Sequence, residues 1–292
     1  SSESVVLTET DTALTANGQL TVTDVDNPAV FVAQTDTEGA YGKFSIDANG
    51  AWTFTANSAF NELNVGDSYS ETFTVSAADG TTSTVTVRIN GTNDAAVLSS
   101  ESVTLTESDA ALTTNGQLTI TDVDNAAVFV AQTDTEGTYG KFSIDENGAW
   151  TFVADSAFNE LNVGDSYSET FTVAAADGTT STVTVRINGT NDAAILSSES
   201  VVLTETDTAL TANGQLTITD VDNPAVFVAQ TDTEGTYGKF SIDANGAWTF
   251  VATSAFNELN VGDSYSETFT VSAADGTTST VTVRINGTND AA

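Results

Sequence analysis

The sequence predicts an all-β chain of three tandem, seven-stranded sandwiches set end to end as a linear rod, on three observations. Trp52, Trp150 and Trp248 share one context at a spacing of 98 residues, which divides the chain into copies 1–98, 99–196 and 197–292. Copies one and three differ at only four aligned positions, Val22 against Ile218 among them. Within each copy, short apolar–polar alternations of period two are separated by turn residues, and no helical period occurs. A unit of about 100 residues has the usual size of one domain and can bury its own core.

In the first copy, residues 4–8 read as a first strand that ends in the acidic turn Glu9, Thr10, Asp11. Asn17 and Gly18 give a turn signal. Residues 19–23 alternate with Leu20 and Val22 on one face, then enter Asp24, Val25, Asp26, Asn27. The nearly continuous apolar run 29–34 reads as a third strand, and 35–40 as a loop. Phe44 and Ile46 define a fourth strand, and Asp47 to Gly50 turn the chain into a fifth with Trp52 and Phe54 inward. A longer connection leads to strand 69–77, where Phe73, Val75 and Ala77 share a face. Asp79 and Gly80 make a tight turn into strand 83–90, with Val85, Val87 and Ile89 inward and Thr84, Thr86 and Arg88 toward water. This pattern indicates an antiparallel sandwich of immunoglobulin-like type that lacks the usual cysteine pair.

Composition narrows the function. Six Lys and Arg stand against 41 Asp and Glu, a formal charge of −35. Nucleic acid is excluded as a natural partner, because phosphate binding needs clustered cations, and anionic membrane surfaces are disfavoured. The chain has no Cys and no His, so disulfides, thiol nucleophiles and the commonest transition-metal ligands are absent. There is no secretion signal and no run long enough to span a bilayer. The chain reads as an internal slice of something longer, in which missing targeting signals mean little.

The stretch Asn90 to Ala96 closes each copy and opens the next, recurring at 188–194 and 286–292. In a seven-strand sandwich the strands alternate direction, so the loops sort to two ends. Parity puts Glu9, Asp67, Asn93 and Asp94 at the end of one unit, facing Asp122, Asp124 and Asp177 of the next. The second joint repeats the set as Glu107, Asp165, Asn191, Asp192, Asp220, Asp222 and Asp275. Half-sites remain at the ends, namely Asp24, Asp26 and Asp79, and Glu205, Asp263, Asn289 and Asp290. Two unit charges 4 Å apart repel by about 4 kcal/mol at an effective dielectric near 20, so such a joint either splays or holds a hard cation. Ca²⁺, which takes six to eight oxygen ligands in flexible geometry, suits this better than Mg²⁺. Whether Asp67 or Glu62 completes the site is open. Asp47, Asp145 and Asp243 read as turn residues, Asp79 fits either role, and Glu71 either precedes its strand or turns toward the joint.

The combination G-T-Y-G-K-F-S-I-D, G-A-W-T-F, F-N-E-L-N-V-G-D-S, S-E-T-F-T-V and N-G-T-N-D-A-A resembles the VCBS repeat, found in tandem in large bacterial surface proteins that include RTX adhesins. The similarity covers essentially all of each copy. The joints also resemble those of cadherins: Glu9 ends the first strand, Asp122 and Asp124 follow the second, and Asn93 and Asp94 lie in the linker. That resemblance implies interdomain Ca²⁺ and a stiffened rod. Gly91 and Ala95 stand where the cadherin linker carries an acidic residue and an Asn, and no Asp-Arg-Glu occurs, which implies fewer ions per joint.

The favoured function is therefore a Ca²⁺-rigidified extender on the bacterial cell surface, monomeric, with the neighbouring repeats as its partners. Strands of eight residues span about 27 Å, so each unit is about 40 Å long and three make about 120 Å. The alternative is a carbohydrate- or self-binding adhesive module, for which Tyr41, Tyr69 and Phe60 are the candidate aromatics. An enzyme is not expected: no H-E-x-x-H, G-x-S-x-G or P-loop occurs, and acidic pairs repeated in triplicate suit structure rather than catalysis.

Overall fold

The computed structural model describes residues 1–289, and every regular element in it is a strand. The first unit contains β1 (Glu3–Thr8), β2 (Thr15–Gln19), β3 (Gln34–Glu38), β4 (Gly42–Ile46), β5 (Ala51–Ala56), β6 (Ser68–Ser76) and β7 (Thr82–Asn90). They form a three-stranded sheet, β1-β7-β6, and a four-stranded sheet, β2-β5-β4-β3. The other two units repeat this arrangement.

Each unit has its own core. In the first, Phe44 stacks on Phe73 at 4.8 Å and lies 6.0 Å from Trp52, with Val75, Val85, Val87 and Ile89 closing the layer. The Trp52 indole donates to Glu3 Oε2 at 2.7 Å, so a buried polar group is satisfied from the edge strand. Tyr41 and Tyr69 stack at 4.4 Å with Phe60 edge-on, and both tyrosines pack against the core rather than forming an open platform.

Several elements differ from the sequence reading, each for a physical reason. The sandwich is not wholly antiparallel, because β1 pairs with β7 in parallel register. Odd-numbered strands share a direction, so making neighbours of the first and seventh requires this. Asn17 and Gly18 lie inside β2 instead of at a turn, since a Cβ at Gly18 would run into the Trp52 indole. The apolar run 29–33 is irregular, held by an isolated bridge between Phe31 and Ala77. The polar segment Gln34–Glu38 is the strand instead, as befits a sheet edge. It carries a bulge between Gln34 and Thr37, with Asp36 in the left-handed region at φ 48°. Glu71 lies within β6, and its carboxylate accepts the backbone N–H groups of Ala40 and Tyr41 rather than turning to the joint.

Between the units, Val97–Leu98 pairs with Ile120–Thr121 of the second unit, and Ile195–Leu196 with Ile218–Thr219 of the third. The last two residues of each 98-residue period are thus hydrogen-bonded to the unit that follows.

Candidate metal centre

The first joint is built outward from Glu9. β1 delivers this side chain to the end of the sheet, where it is only 2% exposed. Its Oε1 accepts the Thr92 backbone N–H at 2.9 Å and the Thr92 hydroxyl. Glu107 holds Thr190 in the same way and is 4% exposed. Two carboxylates buried on this scale are unusual unless they are paired.

From the following unit, the loop after the second strand presents an aspartate turn. Asp122 Oδ1 accepts the N–H groups of Asp124 at 3.2 Å and Asn125 at 2.9 Å. Asp124 Oδ2 then accepts the backbone N–H of Asp94 at 3.1 Å, which carries the contact across the joint. Asp177 Oδ2 accepts the Ala96 N–H at 3.0 Å. The second joint repeats both bonds, Asp192 N–H to Asp222 Oδ2 at 3.2 Å and Ala194 N–H to Asp275 Oδ2 at 3.0 Å.

The oxygens left over define the chemistry. Glu9 Oε2, Asp94 Oδ2, Asp122 Oδ2 and Asp124 Oδ1 are buried without a hydrogen-bond partner, as are Glu107 Oε2, Asp192 Oδ2 and Asp220 Oδ2 in the second joint. A buried, unpartnered carboxylate oxygen is costly. No lysine or arginine forms an ion pair with these carboxylates: among the described residues the ion pairs are Lys43–Glu38, Lys141–Glu136 and Lys239–Glu234, all exposed.

The carboxyl pKa values follow. Burial raises Asp94, and the negative charges of Glu9, Asp11, Asp124 and Asp122 raise it further. Asp192 is raised by burial and by Glu107, Asp109, Asp222 and Asp220. Asp177 and Asp275 go the other way, to about 2, because threonine hydroxyls (Thr179, Thr277) and the linker N–H groups of Ala96 and Ala194 bond their charged forms.

The hard, anionic, unpartnered oxygens fit a divalent cation such as Ca²⁺. Among the described residues, no group of three or more acidic side chains stands in metal-ligating geometry. Ligation would therefore require the carboxylates to draw together.

The structure brings Glu9, Asn93, Asp94, Asp122, Asp124 and Asp177 into one joint, and Glu107, Asn191, Asp192, Asp220, Asp222 and Asp275 into the other. Asp67 and Asp165 are exposed, and their backbone carbonyls accept the N–H of Gly91 and Gly189. Glu62 is exposed, and its counterpart Glu160 lies against Tyr167, whose hydroxyl pKa is raised by burial first and then by that charge. At the ends, Asp24 makes the same turn as Asp122, with its pKa lowered by the N–H groups of Asn27 and Asp26, and Asp26 is exposed. Asp79 accepts the N–H and hydroxyl of Thr81, and Asp263 accepts Asn260 N–H. Glu205 is buried with Thr288 bound to it. Asn289 is the last described residue, and Asp290 lies outside the described residues.

Sequence reasoning missed an amide relay. The Asn64 side chain donates to Asn125 Oδ1, and Asn125 Nδ2 donates to Asn93 Oδ1 at 2.8 Å, so three amides from two units cross the joint. Asn162, Asn223 and Asn191 repeat it. The only sequence signal was an Asn recurring beside each acidic motif.

The family model of the bacterial cadherin-like domain matches residues 1–91, 93–189 and 191–287. Among solved structures, the chain aligns with a protocadherin gammaB7 EC3-6 cis-dimer structure at 16% identity and a TM-score of 0.45, over 98% of this chain and 72% of that one. Mouse clustered PcdhgC3 EC1-3 aligns at 13% identity and 0.40, over 89% of each chain. The human desmocollin-1 ectodomain aligns at 17% identity and 0.34, over 98% of this chain and 60% of that one. No curated protein sequence matches the chain.

Proposed function

The chain belongs to the bacterial cadherin-like domain family, and from that premise we propose that it is a structural extender of VCBS type. It forms a spacer in a large RTX-type adhesin on the bacterial cell surface, rigidified by Ca²⁺ at its joints and holding a ligand-binding tip away from the cell for attachment or biofilm formation. The observation that supports this reading is the set of buried, unpartnered carboxylate oxygens at both joints, which form no ion pair among the described residues.

Glu9, Asp94, Asp122 and Asp124 would hold the ion at the first joint, and Glu107, Asp192, Asp220 and Asp222 at the second. The bound ion supplies positive charge that makes this density of carboxylates tolerable. The residues do the rest. Glu9 fixes the linker through Thr92, Asp124 ties the linker to the next unit, and Asp177 braces it at Ala96. With these attachments held, bending at the joint means separating anchored groups.

Small-angle scattering with millimolar Ca²⁺ and then with chelator tests the proposal. A longer maximum dimension and lower flexibility in Ca²⁺ are expected. Identical curves in the two conditions would refute it.

A further inference from the structure

We propose that each unit is a tension-bearing clamp: load along the chain is carried in shear by its two terminal strands, and a carboxylate–indole bond secures the point where the load enters. The inference rests on the spacer reading, which supplies a chain pulled at its two ends, and it needs no ion.

The second unit shows the load path. The chain enters it at Ser99, ahead of strand Glu101–Thr106, and leaves at Asn188, the end of strand Thr180–Asn188. These two strands pair in parallel, from Glu101 opposite Val183 to Thr106 opposite Asn188. The chain therefore arrives at one end of their shared ladder and departs from the other. Tension drives the strands past each other along their length, and six register pairs with evenly spaced bonds resist together. Two further bonds lengthen the ladder. Ser181 Oγ donates to Ser99 O at 2.9 Å at the entry, and Glu107 N to Asn188 O at 2.9 Å at the exit. The pairing of Val97–Leu98 with Ile120–Thr121 lies ahead of this ladder and is only two residues long. The hairpin of Ser166–Ala174 with Thr180–Asn188 has the opposite geometry. Ser166 lies opposite Asn188, so a pull between those two residues opens the bonds one at a time.

The entry is anchored a second time. Glu101, the first residue of its strand, reaches the other sheet, where its Oε2 accepts the Trp150 indole N–H at 2.7 Å. Trp150 is buried in the core. The contact needs a glycine beside it, because a Cβ at Gly116 would stand 2.6 Å from Glu101 Oε2 and 2.7 Å from the Trp150 ring. Glu3 with Trp52 and Glu199 with Trp248 make the same bond at 2.7 Å, and the parallel register repeats in both units. The leading end of the entry strand is thus tied to both sheets, and it cannot peel away without breaking a bond to the core.

Single-molecule force spectroscopy in chelator tests this. Loaded between its two ends, the chain should give three unfolding events of similar force. The chain has no cysteine, and Val163 is exposed beside Ser166, so Val163→Cys offers a unique handle. Loading between that handle and the end of the chain puts the second unit in the opening geometry while the third is still sheared. The second unit, recognised by its shorter released length, should yield at no more than about half the force of the third, because six register pairs no longer share the load. Glu101→Ala should lower one of the three end-to-end forces by at least about a tenth, the share of one bond beside six register pairs and two end bonds. Glu101→Gln keeps an acceptor for the indole and should restore that force. Neither variant should change the force read from the Val163→Cys handle, where the bond is off the load path. Equal forces in the two geometries would overturn the clamp and leave the Ca²⁺ test by scattering untouched. A loss with Glu101→Ala in both geometries would overturn the role of the carboxylate–indole bond.

Discussion

Replacing Glu9 and Glu107 together by Gln should change joint stability with opposite sign in chelator and in Ca²⁺. Each carboxylate is buried, keeps one oxygen on a threonine of the linker and leaves the other without a partner. Glu9 is also the largest charge contribution raising Asp94, as Glu107 is for Asp192. Like charges 4–8 Å apart at an effective dielectric near 20 repel by about 2–4 kcal/mol. Partial solvent exposure of Asp94 and Asp192 reduces this to about 1–2 kcal/mol. Without divalent ions, neutralising the carboxylate while keeping its shape removes that repulsion, so the double variant should be the more stable protein. Ca²⁺ at about 100 times its dissociation constant stabilises a site by about 2.7 kcal/mol, and losing one anionic ligand forfeits much of this. In saturating Ca²⁺ the variant should therefore be the less stable by about 1–2 kcal/mol. Scanning calorimetry reads both arms, since about 1 kcal/mol moves the midpoint by roughly 4–8 °C for a unit of this size. A shift of the same sign with and without Ca²⁺ would refute the reasoning.

Other consequences are open to measurement. Asp177 and Asp275 have folded pKa values of about 2 against an ordinary 3.8. Their contribution, about 1 kcal/mol each after solvent screening, is fully present above pH 4 and fades as pH falls toward 2; Asp177→Asn with Asp275→Asn should flatten that limb of an acid titration. Asp94 and Asp192 are raised, so in chelator the closed joint should gain stability as pH falls through their pKa values, which scattering at graded pH reads. Gly18→Ala drives a Cβ into the Trp52 indole and should cost about 1–3 kcal/mol in urea unfolding. Asn125→Ala breaks the relay between Asn64 and Asn93; it should broaden the interdomain angle distribution seen by double electron–electron resonance while leaving the melting midpoints of the units within about 1 kcal/mol.

Much of the joint was legible because strand parity is a discrete property. Seven alternating strands put Glu9 and Asp94 at one end and Asp122, Asp124 and Asp177 at the other, and small errors in strand limits do not alter that. The elements that misled did so where tertiary contact overrides a local signal. Asn17 and Gly18 have turn chemistry, yet Gly18 is in a strand because only a hydrogen leaves room for Trp52. The apolar run at 29–33 pairs through one bridge, while polar Gln34–Glu38 forms the edge strand. Glu71 shares the inward parity of Phe73, and backbone N–H groups of the connection between β3 and β4 accommodate it. No pattern of spacing identifies such a partner. The amide relay was hidden for the same reason, because Asn64 and Asn125 meet only once two units are stacked.

The central claim is that the acidic joints are completed by Ca²⁺, and a crystal structure grown in millimolar Ca²⁺ tests it most directly. Anomalous density at both inner joints is predicted, bonded to Glu9, Asp94, Asp122 and Asp124 in one and to Glu107, Asp192, Asp220 and Asp222 in the other. Joints free of metal under those conditions, with these carboxylates turned out to water, would contradict it.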